Sequence, residues 1–230
     1  PMKKLLSILS ICLVFISCDN TDPDNPYDAQ FNSSGCLECD NYTAGESFIV
    51  GGVRYEVADR IMLDSAITND DELTRYCTSK ITSMDTLLIN QQSFNQNIST
   101  WDVSNVTNMS SMFMGALSFN QDIGAWDVSN VTDMSSMFIS ANSFNQDIGS
   151  WDVSNVTNMK GMLSMDSFNQ DISQWDVGNV TNMPGMFFWA YAFNQDLTQW
   201  CVSNITSIPA AFSTDSGLSA SNHPVWGTCP

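Results

Sequence analysis

The chain has 230 residues, 25 of them acidic against 7 Lys and Arg, and a formal charge of −18. That balance argues against nucleic acid as a partner and against direct adsorption to anionic lipid, since both would repel it. With 43% apolar residues it has enough for one elongated domain.

In chain order, Lys3 and Lys4 lead into an apolar run from Leu5 to Ile16, too short to span a bilayer but the length of a signal-peptide core. The run ends in Phe15-Ile16-Ser17-Cys18, which resembles a bacterial lipobox, whose cysteine becomes the lipidated first residue of the mature protein. Residues 1–17 therefore read as a lipoprotein signal peptide, with acyl chains on Cys18 as the sole membrane anchor. Loss of Lys3 and Lys4 takes the charge from −18 to about −20. Residues 18–35, rich in Asp, Asn, Pro and Ser, read as a flexible tether. An acidic stretch straight after the cysteine is similar to the surface-export signals of Bacteroidetes lipoproteins, which implies the outer face of the outer membrane.

Residues 36–75 read as an N-terminal cap. Phe48–Val50 and Val53–Val57 flank Gly51-Gly52 and predict a hairpin. Met62, Leu63, Ala66 and Ile67 then share one face of a short helix. A repeat array needs such a cap, because its first unit otherwise exposes a raw apolar end. Cys36 and Cys39 form a C-x-x-C without a second pair or a βαβ context, so redox and zinc readings are weak. A local Cys36–Cys39 disulfide, or one of the two bonded to Cys77, is expected, and one cysteine stays odd.

Residues 76–212 repeat one phrase. SFNQNISTWDVSNVTNMSSMF from Ser93 returns from Ser118, Ser143, Ser167 and Ala192, at a period of 25 shortened once to 24, and Ser79–Leu88 is a degenerate first copy. A unit this short cannot bury its own apolar face, so the repeat predicts an α/β solenoid of short parallel strands and short helices with about six coils. Met109, Met112, Phe113 and Ala116 fall at helical spacing behind Asn108, whose equivalents Asp133, Asn158, Asn182 and Ser207 suit an N-cap. Trp101 and Val103 alternate with Asp102 and Ser104 as in a strand. The Phe94 to Phe193 and Trp101 to Trp200 rows read as core, with a strip of indoles exposed to sugar rings as the alternative for Trp. The Asn95 to Asn194 row reads as an amide ladder. Aspartate rows at Asp102, Asp127, Asp152 and Asp176 and at Asp122, Asp147, Asp171 and Asp196 must be solvated, backbone-bonded or bridged by cations. No cofactor is expected; calcium is the one candidate, although the glycine-rich nonapeptide of calcium-binding β-rolls is absent.

Residues 213–230 form a tail. Cys201 stands where the preceding four repeats have Asp, and a disulfide to Cys229 would tie the tail over the last repeat. The single histidine, His223, has no Ser/His/Asp or Cys/His set around it, which argues against an enzyme.

The repeat, the lipobox and the Trp226-Gly227-Thr228-Cys229 ending together resemble the BspA-like leucine-rich-repeat surface proteins, whose repeat of about 26 residues carries a W-D-V-S-N-V-T-x-M-x-x-M-F core matched over residues 74–212. The resemblance implies a right-handed, leucine-rich-repeat-like fold at the cell surface, in some members an adhesin for host or matrix proteins. It carries no catalytic residues. The expected function is a non-catalytic binding or adhesion lipoprotein whose face is Asp102, Ser104, Asp127, Ser129, Asp152, Ser154 and Asp176, for a protein or glycan ligand. The rival is an accessory subunit of an outer-membrane uptake or secretion complex.

Overall fold

Two glycines turn the chain at its N-terminal sheet. In the computed structural model, which describes residues 29–230, Gly51 and Gly52 have φ of 57° and 81°, the left-handed pair a two-residue hairpin turn needs. The residues read as a signal peptide, Cys18 and the first part of the segment read as a tether lie outside the described residues. The segment read as tether already contributes structure at its end, because β1 (Gln30–Phe31) pairs antiparallel with β2 (Leu37–Glu38). The hairpin strands are β3 (Ser47–Val50) and β4 (Val53–Val57), and β4 also pairs in parallel with β5 (Tyr76–Cys77). Between β4 and β5 lies α1 (Arg60–Thr68), opened by Asp59, whose carboxylate accepts from the Met62 N–H at 2.8 Å, and buried through Leu63 and Ala66.

The expected right-handed α/β solenoid of short parallel strands and helices is not what the protein builds. All strands lie before residue 78, in two small sheets of which one is mixed, and α1 is the one α-helix among the described residues. Residues 78–230 consist of turns and bends, isolated single-residue bridges and a short 3₁₀ turn at Ala220–Asn222.

The physical reason lies in where the backbone donors go. The N–H groups of Met109, Ser111, Phe113 and Gly115 donate to Asp133, Ser135, Met137 and Ile139 of the next repeat. Those of Met112, Met114 and Ala116 bond three residues back. A helix needs each donor for the carbonyl four residues back, and Ser111 at φ 56° is left-handed. The apolar spacing is kept, with Met109, Met112, Phe113 and Ala116 all buried, but successive turns satisfy it. The N-cap row likewise becomes a row of local turns, Asn108 accepting from the Ser110 N–H at 2.9 Å and Asp133 from the Ser135 N–H at 2.8 Å. Single parallel bridges join Ser83, Asn108, Asp133, Asn158 and Asn182.

Equivalent side chains of consecutive repeats nevertheless meet. Phe94, Phe119, Phe144, Phe168 and Phe193 follow one another at ring separations of 5.7 to 6.3 Å. Each repeat tryptophan is at most 3% exposed, and its indole N–H donates to a carbonyl of the preceding repeat, Trp151 to Ile123 at 3.1 Å and Trp200 to Ile172 at 3.0 Å. The Asn95, Asn120, Asn145 and Asn169 carbonyl oxygens each accept from the N–H of the next Asn in their row at 2.9 to 3.0 Å.

In the last repeat the backbone takes one extra residue. The left-handed residue ten positions after each earlier tryptophan, as at Ser136 and Gly185, comes eleven after Trp200, at Ala211. Phe212 therefore meets Phe187 edge-on, at 86°, where Phe113 and Phe138 lie parallel at 7°.

Replacing Trp151 by Phe keeps most of the buried ring but loses the indole bond to the Ile123 carbonyl, which keeps its bond from the Trp126 N–H, at a cost of about 0.5–1.5 kcal/mol. Trp151→Ala adds a cavity and costs about 3–5 kcal/mol. Urea unfolding distinguishes the two, and a Trp151→Phe midpoint equal to that of wild type would show that the indole bond is not the term that matters.

Candidate functional site

The aspartates of the outward row are held by their own backbone. Asp127, Asp152 and Asp176 are exposed, and each Oδ1 accepts from the N–H two residues on, Ser129 and Ser154 at 3.0 Å and Gly178 at 2.9 Å. Ser129 and Ser154 are half-buried beside them. Asp102 makes the same turn with the Ser104 N–H but is only 4% exposed, so it does not belong to an exposed face. The N-terminal segment covers it: Thr78 Oγ1 donates to the Asp102 carbonyl at 2.8 Å, and the Leu37 N–H donates to Thr100. Ser104, next to it, is half-buried.

Amides and hydroxyls flank the carboxylates. Asn130, Asn155 and Asn179 donate from Nδ2 to the carbonyls of Ser104, Ser129 and Ser154, one repeat back. Thr132 and Thr157 do the same to Thr107 and Thr132. The second aspartate row follows the first, Asp122, Asp147, Asp171 and Asp196 each accepting at 2.9 Å from Gly124, Gly149, Ser173 and Thr198. The Ser154 hydroxyl and N–H hold Asp152 below the usual carboxylate range, and Ser173 and Thr198 do the same for Asp171 and Asp196. Among the described residues no group of three or more His, Cys, Asp or Glu is placed to hold a metal ion.

Buried indoles also close the alternative reading of the five repeat tryptophans as a sugar-binding strip. The exposed aromatic surface lies elsewhere, at Trp189 and Tyr191, 52% and 60% exposed. Sequence reasoning passed over them because they fall outside the repeated phrase. The signal was there: Trp189 stands where earlier repeats have Gly115 and Ser140, and Tyr191 where they have Leu117 and Asn142.

Of the cysteine pairings open from sequence, the structure joins Cys39 to Cys77, not to Cys36. Cys36 stays a buried thiol, pushed up to about 11 by burial first and by the charges of Asp102 and Asp127 next. Cys201 is bonded to Cys229, and the Val202 N–H donates to Thr228 beside it. Ser213 Oγ and His223 Nε2 lie 3.0 Å apart, a Ser–His contact invisible in the sequence. The imidazole packs edge-on to Phe212 at 5.6 Å, and burial holds it below its ordinary range. This pair ties the tail to the last repeat. Clefts of about 280 and 330 Å³ lie at the N-terminal end, and neither reaches the pair or the aspartate face.

A family described as "Mycoplasma protein of unknown function, DUF285" matches residues 60–165 and 147–226. The chain belongs to this family. The DUF285 match begins at the first residue of α1 and takes in every repeat and the tail as far as Trp226, leaving β1 to β4 outside it. No curated protein and no solved structure matches the chain.

Three kinds of shift set the pH dependence. His223 and the aspartates Asp152, Asp171 and Asp196 have folded values below their unfolded ones, so the stability they contribute is lost as pH falls through the histidine range and then the carboxylate range. Cys36 is raised from 9.0 to about 11, so its contribution is present below the unfolded value and lost as pH rises through that interval. The melting temperature should plateau between neutral pH and the thiol range, with an early acid decline that His223→Asn removes. An acid limb identical in wild type and variant would show that His223 plays no part.

Proposed function

We propose that the protein is a surface-anchored, non-catalytic binding or adhesion lipoprotein of the BspA-like kind, held to the outer membrane through lipid on Cys18 and taking a protein or glycan ligand on its repeat face. The observation that carries this is the row of Asp127, Asp152 and Asp176, exposed carboxylates repeated at the spacing of the backbone and fixed by bonds to it. A partner meeting such a row finds the same group in the same orientation several times over, and pre-set side chains cost little ordering on binding. Catalysis by paired acids calls for two unlike environments. Successive repeats supply like ones.

Localisation and binding are tested separately. Protease shaving of intact cells should remove the protein, and Cys18→Ser should release it from the membrane fraction; labelling only after the cells are opened would sink the surface assignment. The triple variant Asp127→Asn, Asp152→Asn, Asp176→Asn keeps the turn-forming oxygens, so its stability should change by no more than about 0.5 kcal/mol per site. Capture of ligand by intact cells should nevertheless drop by about tenfold or more, equivalent to the loss of at least 1.4 kcal/mol. Co-purification with a membrane barrel, with capture unaffected, would replace adhesion by an accessory role in an uptake or secretion complex.

A further inference from the structure

The repeat array ends differently at its two ends. At the first repeat α1 lies over the turn segment, with Arg60 Nη1 3.5 Å from Asp85 and Ile67 sharing a cleft with Gln91. At the last repeat the tail packs His223 and Trp226 edge-on against Phe212 and sets His223 on the half-buried Ser213 hydroxyl, but takes none of the outer backbone donors. Gly185, Phe187 and Trp189 donate their N–H groups to Ala210, Phe212 and Thr214, as their counterparts do in earlier repeats. Because of the extra residue, the next donors in this series are Ala211, Ser213 and Asp215. Their N–H groups meet no acceptor among the described residues, and Ala211 and Asp215 are exposed. The tail runs beside residues 190–202 instead, through Gly217 to Ala190, Leu197 to Asn222 and Val202 to Thr228.

Beside this edge sits a residue ill suited to its backbone. Trp189 has φ 59°, in a slot filled by Asn90, Gly115, Ser140 and, in the last repeat, Asp215, all small or polar residues. A large aromatic there stores strain that packing alone does not call for, since half of the ring is exposed. Its indole is held by Asp215 at 3.3 Å and by Phe188, stacked at 4.6 Å, with Tyr191 exposed nearby in the chain. Charge is one-sided as well: residues 161–230 contain five aspartates and no Lys or Arg.

We propose that this edge binds an extended basic segment of a partner polypeptide. The segment's carbonyls accept from Ala211, Ser213 and Asp215, as one more repeat would, and its Lys or Arg side chains lie over Trp189 and Tyr191 beside the Asp215 carboxylate. A second copy of the chain does not suit the site, because α1 stands at the first repeat, with Arg60 on Asp85, where that copy would have to dock. The proposal rests on the reading of the protein as a binding module and names its partner's chemistry.

The test is a titration of the full chain with an end-blocked peptide of alternating Lys and Thr, with alternating Glu and Thr as control, read by amide hydrogen exchange. Protection should appear at Ala211, Ser213 and Asp215 with the basic peptide alone and weaken at high salt. Affinity should fall about tenfold in Trp189→Ser, which places in the strained slot the residue already tolerated at Ser140, so that the variant melts no lower than wild type. Absence of protection, or binding that Trp189→Ser leaves unchanged, overturns the proposal. Protection that grows with protein concentration alone overturns it in favour of self-association. Trp189-dependent binding on a glycan array without peptide binding overturns it in favour of sugar stacking, and leaves the adhesion reading, measured on intact cells, standing.

Discussion

The hydrogen bond that crosses from one repeat to the next is the constraint on which this protein depends. Alternate backbone N–H groups, the indole of each repeat tryptophan and the amides of Asn130, Asn155 and Asn179 donate to a neighbouring repeat, and the amide oxygens of the Asn95 row accept from one. A buried donor or acceptor without a partner costs about 1–3 kcal/mol, so a repeat removed from its neighbours would lose on many groups at once. Among the described residues no buried side-chain nitrogen or oxygen lacks a partner. The indole and amide bonds hold the register: they persist across the 24-residue repeat, and in the last repeat, where the backbone takes one extra residue, the Trp200 and Asn194 bonds remain while outer backbone donors lose their partners.

That constraint also shapes the surface. A side chain whose oxygen already closes a turn, as at Asp127 or Asp152, is restricted in rotation. It can present a fixed charge. The same economy produces rigidity without long secondary structure: turns fix each repeat locally, and inter-repeat bonds fix the turns.

The two ends use covalent closure. Cys39–Cys77 ties the residue after β2 to β5 in the N-terminal sheets, and Cys201–Cys229 brings the tail back to the last repeat. Both close over segments that the repeat itself cannot hold, since each end of the array lacks one neighbour. Cys36, between the smaller N-terminal core and the main one, stays protonated because burial and nearby carboxylates disfavour a thiolate.

Much was legible in the residues alone. The repeat boundaries, the burial of the Phe, Trp and Met positions and the side-chain-to-backbone role of the Asn and Asp rows follow from side-chain chemistry recurring at a fixed interval, which is local information. The α/β architecture was misread for a related reason: apolar positions at i, i+3, i+4 and i+7 state which side chains point inward but not where the backbone donors go, and here the donors go to the next repeat. Only the tertiary structure decided that Asp102 is covered by the N-terminal segment, that Cys39 pairs with Cys77, that Ser213 meets His223, and that one extra residue after Trp200 leaves an edge bare beside Trp189. Each of these joins residues distant in the chain, or turns on a backbone dihedral that no repeat pattern records.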